Sequence, residues 1–384
     1  MPGTPDKESI MKSMTVFAAA LLALAAVSFA GDRDRQDGEL IQIAILLDAS
    51  NSMDGLIGQA KSQLWKIVNE FALAKRNGRV PRLEVAFYEY GKSSLPAAEG
   101  YIRQIVPLST DLDKISDELF KLTTNGGQEY CGHVIRRAID ELLWSSSSSV
   151  MKAIFIAGNE GFTQGKVDYK KSCRDAIAKG IVVNTIFCGS EREGINTKWK
   201  DGADLADGSF MNIDQNRTIV DIKAPQDSAI MALGAQLNAT YISYGSAGIS
   251  RKKMQAEQDM HAQAAAPAAM VQRSVAKASV SYENASWDLV DAKKEKNLDV
   301  AQLAAEQLPE EMKEMKPQER EAYVEKKAAE RAELQAKIST LNQERRKYVA
   351  EEQKKTSGDN TLDKAIITAV RKEAVKKGYS FESK

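Results

Sequence analysis

The stretch Ile41–Met53, IQIAILLDASNSM, decides how the rest of the chain is read. Ile41, Ile43, Ala44, Ile45, Leu46 and Leu47 make a near-continuous apolar run. That is the pattern of a strand buried on both faces of a parallel sheet, not of one with a wet face. The run stops abruptly at oxygen donors, with the carboxylate of Asp48 and the hydroxyls of Ser50 and Ser52 on one short loop. Open α/β sheets bind ligands at the carboxyl ends of their strands. Hard oxygen donors at such a place suit Mg²⁺, Mn²⁺ or Ca²⁺. Asp and Ser are also good helix caps, so spacing alone leaves a capping role open for the same three residues.

Outward from this stretch the chain alternates. Leu56, Ile57, Ala60, Leu64, Ile67, Val68 and Phe71 recur at helical spacing within Asp54–Lys75, and Gly78 and Pro81 end that helix. Leu83–Tyr90 and Tyr101–Leu108 read as strands, the second antiparallel at an edge, where Pro107 is tolerable. Lys152–Ala157 and Val182–Phe187 are buried strands separated by a helix over Asp168–Lys179. Ser209–Ile213 is a last short strand, and Asp227–Asn238 a closing helix. This rhythm predicts parallel βαβ units with right-handed crossovers. The expected fold class is α/β: a doubly wound, mostly parallel sheet flanked by helices, followed by an α-helical C-terminal region.

Asp48, Ser50 and Ser52 spell DxSxS between a buried strand and an amphipathic helix. In that setting Glu39 to Gly245 resembles a von Willebrand factor A (vWA) domain, whose metal-ion-dependent adhesion site (MIDAS) begins with this signature. In the resembled family the site takes DxSxS from one loop, a Thr from a Gly-rich loop, and an Asp after the next central strand. This chain departs at the last two: TTNGGQEYC (Thr123–Cys131) aligns Gln128 or Glu129 with the Thr, and IAGNEG aligns Gly158 with the Asp. Together the departures imply a relocated site. Its metal ligands would be Asp48, Ser50, Ser52 and Glu129, with Gln128, Asn159 and Glu160 as candidate outer ligands. Mg²⁺ is the implied cofactor, with Mn²⁺ or Ca²⁺ as alternatives, and the implied partner is a protein ligand offering a carboxylate. The rival reading is that the metal is lost and NGGQE is a plain loop.

Lys+Arg and Asp+Glu number 53 each in the 384 residues, so no basic field argues for a nucleic-acid partner. Lys12, the apolar run Met14–Val27 and the small residues Ser28 and Ala30 follow the order of a signal peptide. Residues 1–30 are therefore expected to be cleaved after Ala30, followed by a short linker over 31–38, placing the protein in the periplasm or outside the cell. An uncleaved anchor is the alternative, although the run is short for a bilayer. In an oxidising compartment two of Cys131, Cys173 and Cys188 are expected to pair. Cys173–Cys188 is the candidate disulfide, with Cys131 able to replace either partner, against three reduced thiols.

The expected division is a vWA-like domain over 39–246, an Ala/Gln-rich linker over 247–285 and a charged helical region over 286–384. Leu334, Ile338, Leu341 and Tyr348 line a seam on which Lys327, Arg331 and Arg345 also sit. The seam is therefore a poor coiled coil, read as a long helix folding back on its neighbour, with self-association through these helices as the alternative. The functional expectation is non-catalytic binding of a protein or surface ligand through the cation. A second reading is a metal-free scaffold whose helical region assembles in the cell envelope, and a third is a metal-assisted hydrolase. Catalysis needs a poised general base. Of the two histidines, His133 opens a helix beside the loop and His261 lies in the expected linker. Cys131 and His133, two apart at a helix start, point different ways and make a poor nucleophile pair.

Overall fold

The computed structural model describes residues 40–53, 57, 61, 65, 66, 68–213, 222–355 and 362–381. The expected signal peptide over 1–30, the linker over 31–38 and the helix positions Leu56, Ala60, Leu64 and Ile67 lie outside the described residues.

The strands are β1 (Leu40–Asp48), β2 (Ala74–Lys75), β3 (Arg82–Tyr90), β4 (Ile102–Ser109), β5 (Met151–Gly158), β6 (Ile181–Cys188), β7 (Phe210–Ile213) and β8 (Ser380–Phe381). The described residues within 57–72 are helical. Beyond them come α1 (Leu112–Lys121), α2 (Cys131–Glu141), α3 (Tyr169–Ala178), α4 (Glu191–Asn196), α5 (Trp199–Asp204) and α6 (Asp227–Asn238). The C-terminal helices are α7 (Gly248–Ala265), α8 (Pro267–Lys277), α9 (Leu289–Lys296), α10 (Glu310–Lys313), α11 (Pro317–Lys355) and α12 (Leu362–Lys376).

Six strands form one sheet in the order β4-β3-β1-β5-β6-β7, all parallel except β4. As expected from Pro107, β4 is the antiparallel edge. The strand order reverses between β1 and β5, so the crevice where such sheets bind ligands opens beside the end of β1. Ile41, Ile43 and Leu47 enter one core and Ala44 and Leu46 the other, so the apolar run of β1 is consumed by two buried faces. The first face is covered by Trp65, Val68 and Phe71, by Ile115 and Leu119 of α1, and by Ile230 and Leu237 of α6. Val134, Ile135 and Ala138 of α2, Cys173 and Ala176 of α3 and Trp199 of α5 cover the second.

Residues 247–285 are not a linker. They form α7 and α8, and Val271 and Ala276 of α8 enter the first core. Arg273 is fully buried between Asp113 of α1 at 2.8 Å and Asp259 of α7 at 2.5 Å, with its guanidinium 4.9 Å from the Trp65 ring. Lys277 also reaches Asp259, at 2.5 Å. The composition concealed this, because the buried contacts are polar: Gln258 accepts from the Ser116 hydroxyl and donates to Asp117, while Gln255 donates to Tyr282.

The seam of α11 lies against the chain's own core, with Ile338 fully buried and Leu334 and Leu341 packed beside it. Two of the charges that spoil a coiled coil have partners elsewhere in the chain, Arg331 with Asp288 and Asp291 and Arg345 with Asp227, while Lys327 pairs with Glu330 on α11 itself. Beyond α12, β8 pairs antiparallel with β2, and the Tyr379 hydroxyl donates to the Leu40 carbonyl.

The expected Cys173–Cys188 disulfide is also corrected. All three cysteines are free and buried. Cys188 points into the first core and Cys173 into the second, so the sheet itself separates them. Among the described residues no helix is long and apolar enough to cross a membrane.

Candidate metal centre

Three neighbouring strands end together, with Asp48 of β1 level with Tyr90 of β3, and Leu47 level with Ala157, one residue before Gly158 ends β5. The loops that follow them meet above the switch point.

Asp48 is fully buried. Its Oδ1 accepts the Ser50 N–H at 2.8 Å, whereas Oδ2 is enclosed with no hydrogen-bond donor among the described residues. Burial pushes the carboxyl up to about 7 against the hydrogen bonds from Ser50, and the charges of Glu129 and Glu160 add to the rise. The Ser50 and Ser52 hydroxyls lie 3.0 Å apart, and Ser52 donates to Oδ1 of Asn159 at 3.1 Å. The first and third loops are thereby joined.

The second loop is stitched to the first by the Asn125 N–H on the Ala49 carbonyl, and to the segment after β3 by the Ser93 N–H on the Gly126 carbonyl. It carries Glu129 inward, to a buried position within hydrogen-bonding reach of the Ser50 side chain. Burial raises its pKa, and Glu160 adds to that rise. Gly91 forms the wall between the two carboxylates. Its φ is +80°, and a Cβ there would lie 2.7 Å from Asp48 Oδ1 and 3.0 Å from Glu129 Cγ. Only glycine leaves that space open. Gln128, beside Glu129, is exposed.

Gly158 has an equally specific reason. A Cβ on it would come 2.6 Å from Tyr90 Oη, 3.0 Å from Trp199 Cη2 and 3.2 Å from Asp48 Oδ2. The Tyr90 hydroxyl is fixed by donating to the Ala157 carbonyl, and Trp199 Nε1 donates to the Glu160 carbonyl. Tyrosine and tryptophan thus close the third-loop position to any side chain, and Asn159 and Glu160 stand next along the chain.

These residues fit a small hard cation. The donors are carboxylate, hydroxyl and amide oxygens, and Asp48 Oδ2 lacks a partner among the described residues. Among the described residues no three His, Cys, Asp or Glu side chains converge as a metal-holding group. The serine hydroxyls and water would therefore complete the shell, as Mg²⁺ commonly requires. Cys131 and His133 are not a reactive pair. Cys131 is fully buried with Sγ 3.8 Å from Tyr90 Oη, and burial pushes its thiol up. His133 packs so closely on Gly100 that a Cβ there would meet Nδ1 at 2.2 Å.

Sequence reasoning brought together Asp48, Ser50, Ser52, Glu129, Asn159 and Glu160, and the fold places them around one crevice. It missed Tyr90, Gly91 and Trp199. The Gly directly after the strand in EYGK was a usable signal for Gly91, and Trp199 had none.

No family model matches the chain, and no curated protein matches it. Among solved structures, the conserved hypothetical protein BatB from Bacteroides thetaiotaomicron is 17% identical, over 45% of this chain and 90% of that one, with a TM-score of 0.35. The SpRpn10 VWA domain is 14% identical, over 47% of this chain and 91% of its own, with a TM-score of 0.36. Proximal thread matrix protein 1 from the mussel byssus, with a zinc-occupied MIDAS motif, is 16% identical over 46% of this chain, with a TM-score of 0.36. The match spans less than half the length of the mussel chains.

Proposed function

We propose that this chain is a binding protein in which Asp48, Ser50, Ser52 and Glu129 hold a divalent cation, Mg²⁺ foremost with Mn²⁺ or Ca²⁺ as alternatives. A protein or surface ligand completes the coordination. The observation that carries this reading is Asp48 Oδ2, a buried carboxylate oxygen without a donor among the described residues, at the crevice where the sheet's topology favours ligand binding. A bound dication would supply the missing partner and hold the carboxylate ionised. The role is binding, not catalysis. His133 is committed to packing on Gly100, and Tyr90 donates its proton to a backbone carbonyl, so neither stands ready as a base. Export is part of the same reading and rests on residues 12–30. Intact mass of the protein from its native host should show a chain starting at Gly31.

Titrating Mn²⁺ into EDTA-treated protein tests the site. One binding event per chain is expected, with Ser50→Ala and Glu129→Gln each weakening it by about tenfold or more, equivalent to about 1.4 kcal/mol. No binding of Mn²⁺, Mg²⁺ or Ca²⁺ would overturn the reading and leave a metal-free scaffold.

A further inference from the structure

The crevice lies at the carboxyl end of the sheet, and charges of the other sign gather at the opposite end, where Ile41 of β1 is level with Met151 of β5. There the turn Ser145–Ser149 leads from α2 to β5, and cationic side chains from three distant segments converge on its carbonyls. Lys152 of β5 donates to the Ser145 carbonyl at 2.8 Å, Lys377, directly after α12, to that of Ser148 at 3.0 Å, and Arg76, directly after β2, to that of Ser149 at 2.7 Å. We infer that Lys152, Lys377 and this serine turn form a second binding site, one for the tetrahedral oxyanion of a phosphate or sulfate group. The site is separate from the proposed cation site and does not depend on it.

Lys152 is only 4% exposed, and its ammonium meets a neutral carbonyl where a buried cation ordinarily meets a carboxylate. Burying a charge is costly unless a counter-charge accompanies it. The charge that acts on Lys152 is instead a second cation: burial first, and then Lys377, hold its pKa below the ordinary lysine value, and no carboxylate offsets them. Glu84, the carboxylate level with Lys152 across the sheet, stands two strands away and is taken by Gln42 at 2.8 Å and Arg82 at 3.0 Å. Gln42 also accepts the Ser145 N–H at 2.8 Å, which fixes the turn and brings no negative charge. The turn is held in shape by its own hydroxyls, since Ser145 Oγ accepts the Ser147 N–H and Ser147 Oγ accepts that of Ser149. Ser146 and Ser148 are exposed, so their hydroxyls face solvent as further donors. An oxyanion here would take the spare N–H donors of both ammonium groups together with hydroxyls of the turn, and lysine commonly serves phosphate as such a point charge. Because Lys377 runs on into Tyr379 and β8, a bound anion would also tie the C-terminal end of the chain to the sheet.

The test uses the full chain in EDTA, so that no cation in the crevice can hold the anion, and titrates inorganic phosphate and sulfate by calorimetry against chloride at equal ionic strength. One oxyanion per chain is expected, with a rise in melting temperature that chloride does not give. Lys377→Gln, at a half-buried side chain, should weaken binding by about tenfold or more. Lys152→Met, which removes the buried charge, should abolish it without lowering the melting temperature in phosphate-free buffer. Lys179→Gln, at an exposed lysine 3.5 Å from Asp140, should leave binding unchanged. Sedimentation with phosphatidylglycerol and with phosphatidylcholine vesicles separates the sources of the oxyanion. Pelleting with the anionic vesicles alone, lost in both Lys152→Met and Lys377→Gln, assigns a lipid headgroup, whereas phosphate binding without pelleting assigns a free anion. No response to phosphate, sulfate or anionic vesicles beyond that to chloride and phosphatidylcholine, or binding unchanged in both variants, would overturn the inference.

Discussion

Two sets of buried carboxylates in this molecule are treated in opposite ways. Beneath the C-terminal helices, Asp113 and Asp259 are met by Arg273 and Lys277, and Asp288 by Arg331, at 2.5–2.8 Å. At the carboxyl edge of the sheet, Asp48 is just as enclosed yet keeps one oxygen without a donor among the described residues, and the charges acting on it are those of two further carboxylates, Glu129 and Glu160. Burying an ion costs several kcal/mol unless a partner is supplied. The helical clusters supply theirs internally and so act as structure. The crevice does not, and the missing partner is what a cation would provide.

The largest stability effect is expected at Arg273. Replacing it with Met leaves Asp113 and Asp259 buried with one basic partner fewer, and unfolding free energy should fall by about 3–5 kcal/mol. Denaturant titration should show the same loss with and without divalent ions, since the cluster's partners lie on α1 and α7 and not on the three loops of the crevice. A metal-dependent loss would blur the contrast. The next effect in size is ligation itself. A cation at 100 times its Kd should add about 2.7 kcal/mol to the wild type. Asp48→Asn, which removes an unpartnered buried charge, should abolish that gain without lowering metal-free stability.

Gly158→Ala probes the floor of the site. The new methyl meets Tyr90 Oη and Trp199, and overpacking of this kind costs about 1–3 kcal/mol. Chemical denaturation of metal-free protein reads it, and a neutral result would mean that Tyr90 and Trp199 do not close this position. Glu160→Gln should be the smallest, within about 0.5 kcal/mol in stability as expected for an exposed side chain.

Much of the fold was legible because β1 and β5 are apolar on both faces and leave no alternative to a covered parallel sheet. The crevice was legible because DxSxS, NGGQE and GNEG each follow a punctuated element end. What stayed hidden depends on contacts between distant segments. The Arg273 cluster joins charged side chains of α1, α7 and α8, and the Ala, Gln and charge of α7 and α8 hid it from a reading of apolar periodicity. The absence of a third-loop carboxylate is explained by Trp199, which nothing in the local sequence connects to Gly158. Cysteine pairing failed for a similar reason: which face of the sheet each thiol occupies decides the matter, and spacing does not report it.

Thermal unfolding of wild type and Asp48→Asn, each in EDTA and then in excess Mg²⁺, Mn²⁺ or Ca²⁺, shows whether Asp48 holds a cation. The wild type should melt at a higher temperature with at least one cation, while Asp48→Asn melts at or above the wild type in EDTA and does not respond to metal. An unresponsive wild type, or a variant that gains as much as the wild type, would contradict the assignment of Asp48 as the residue awaiting a cation.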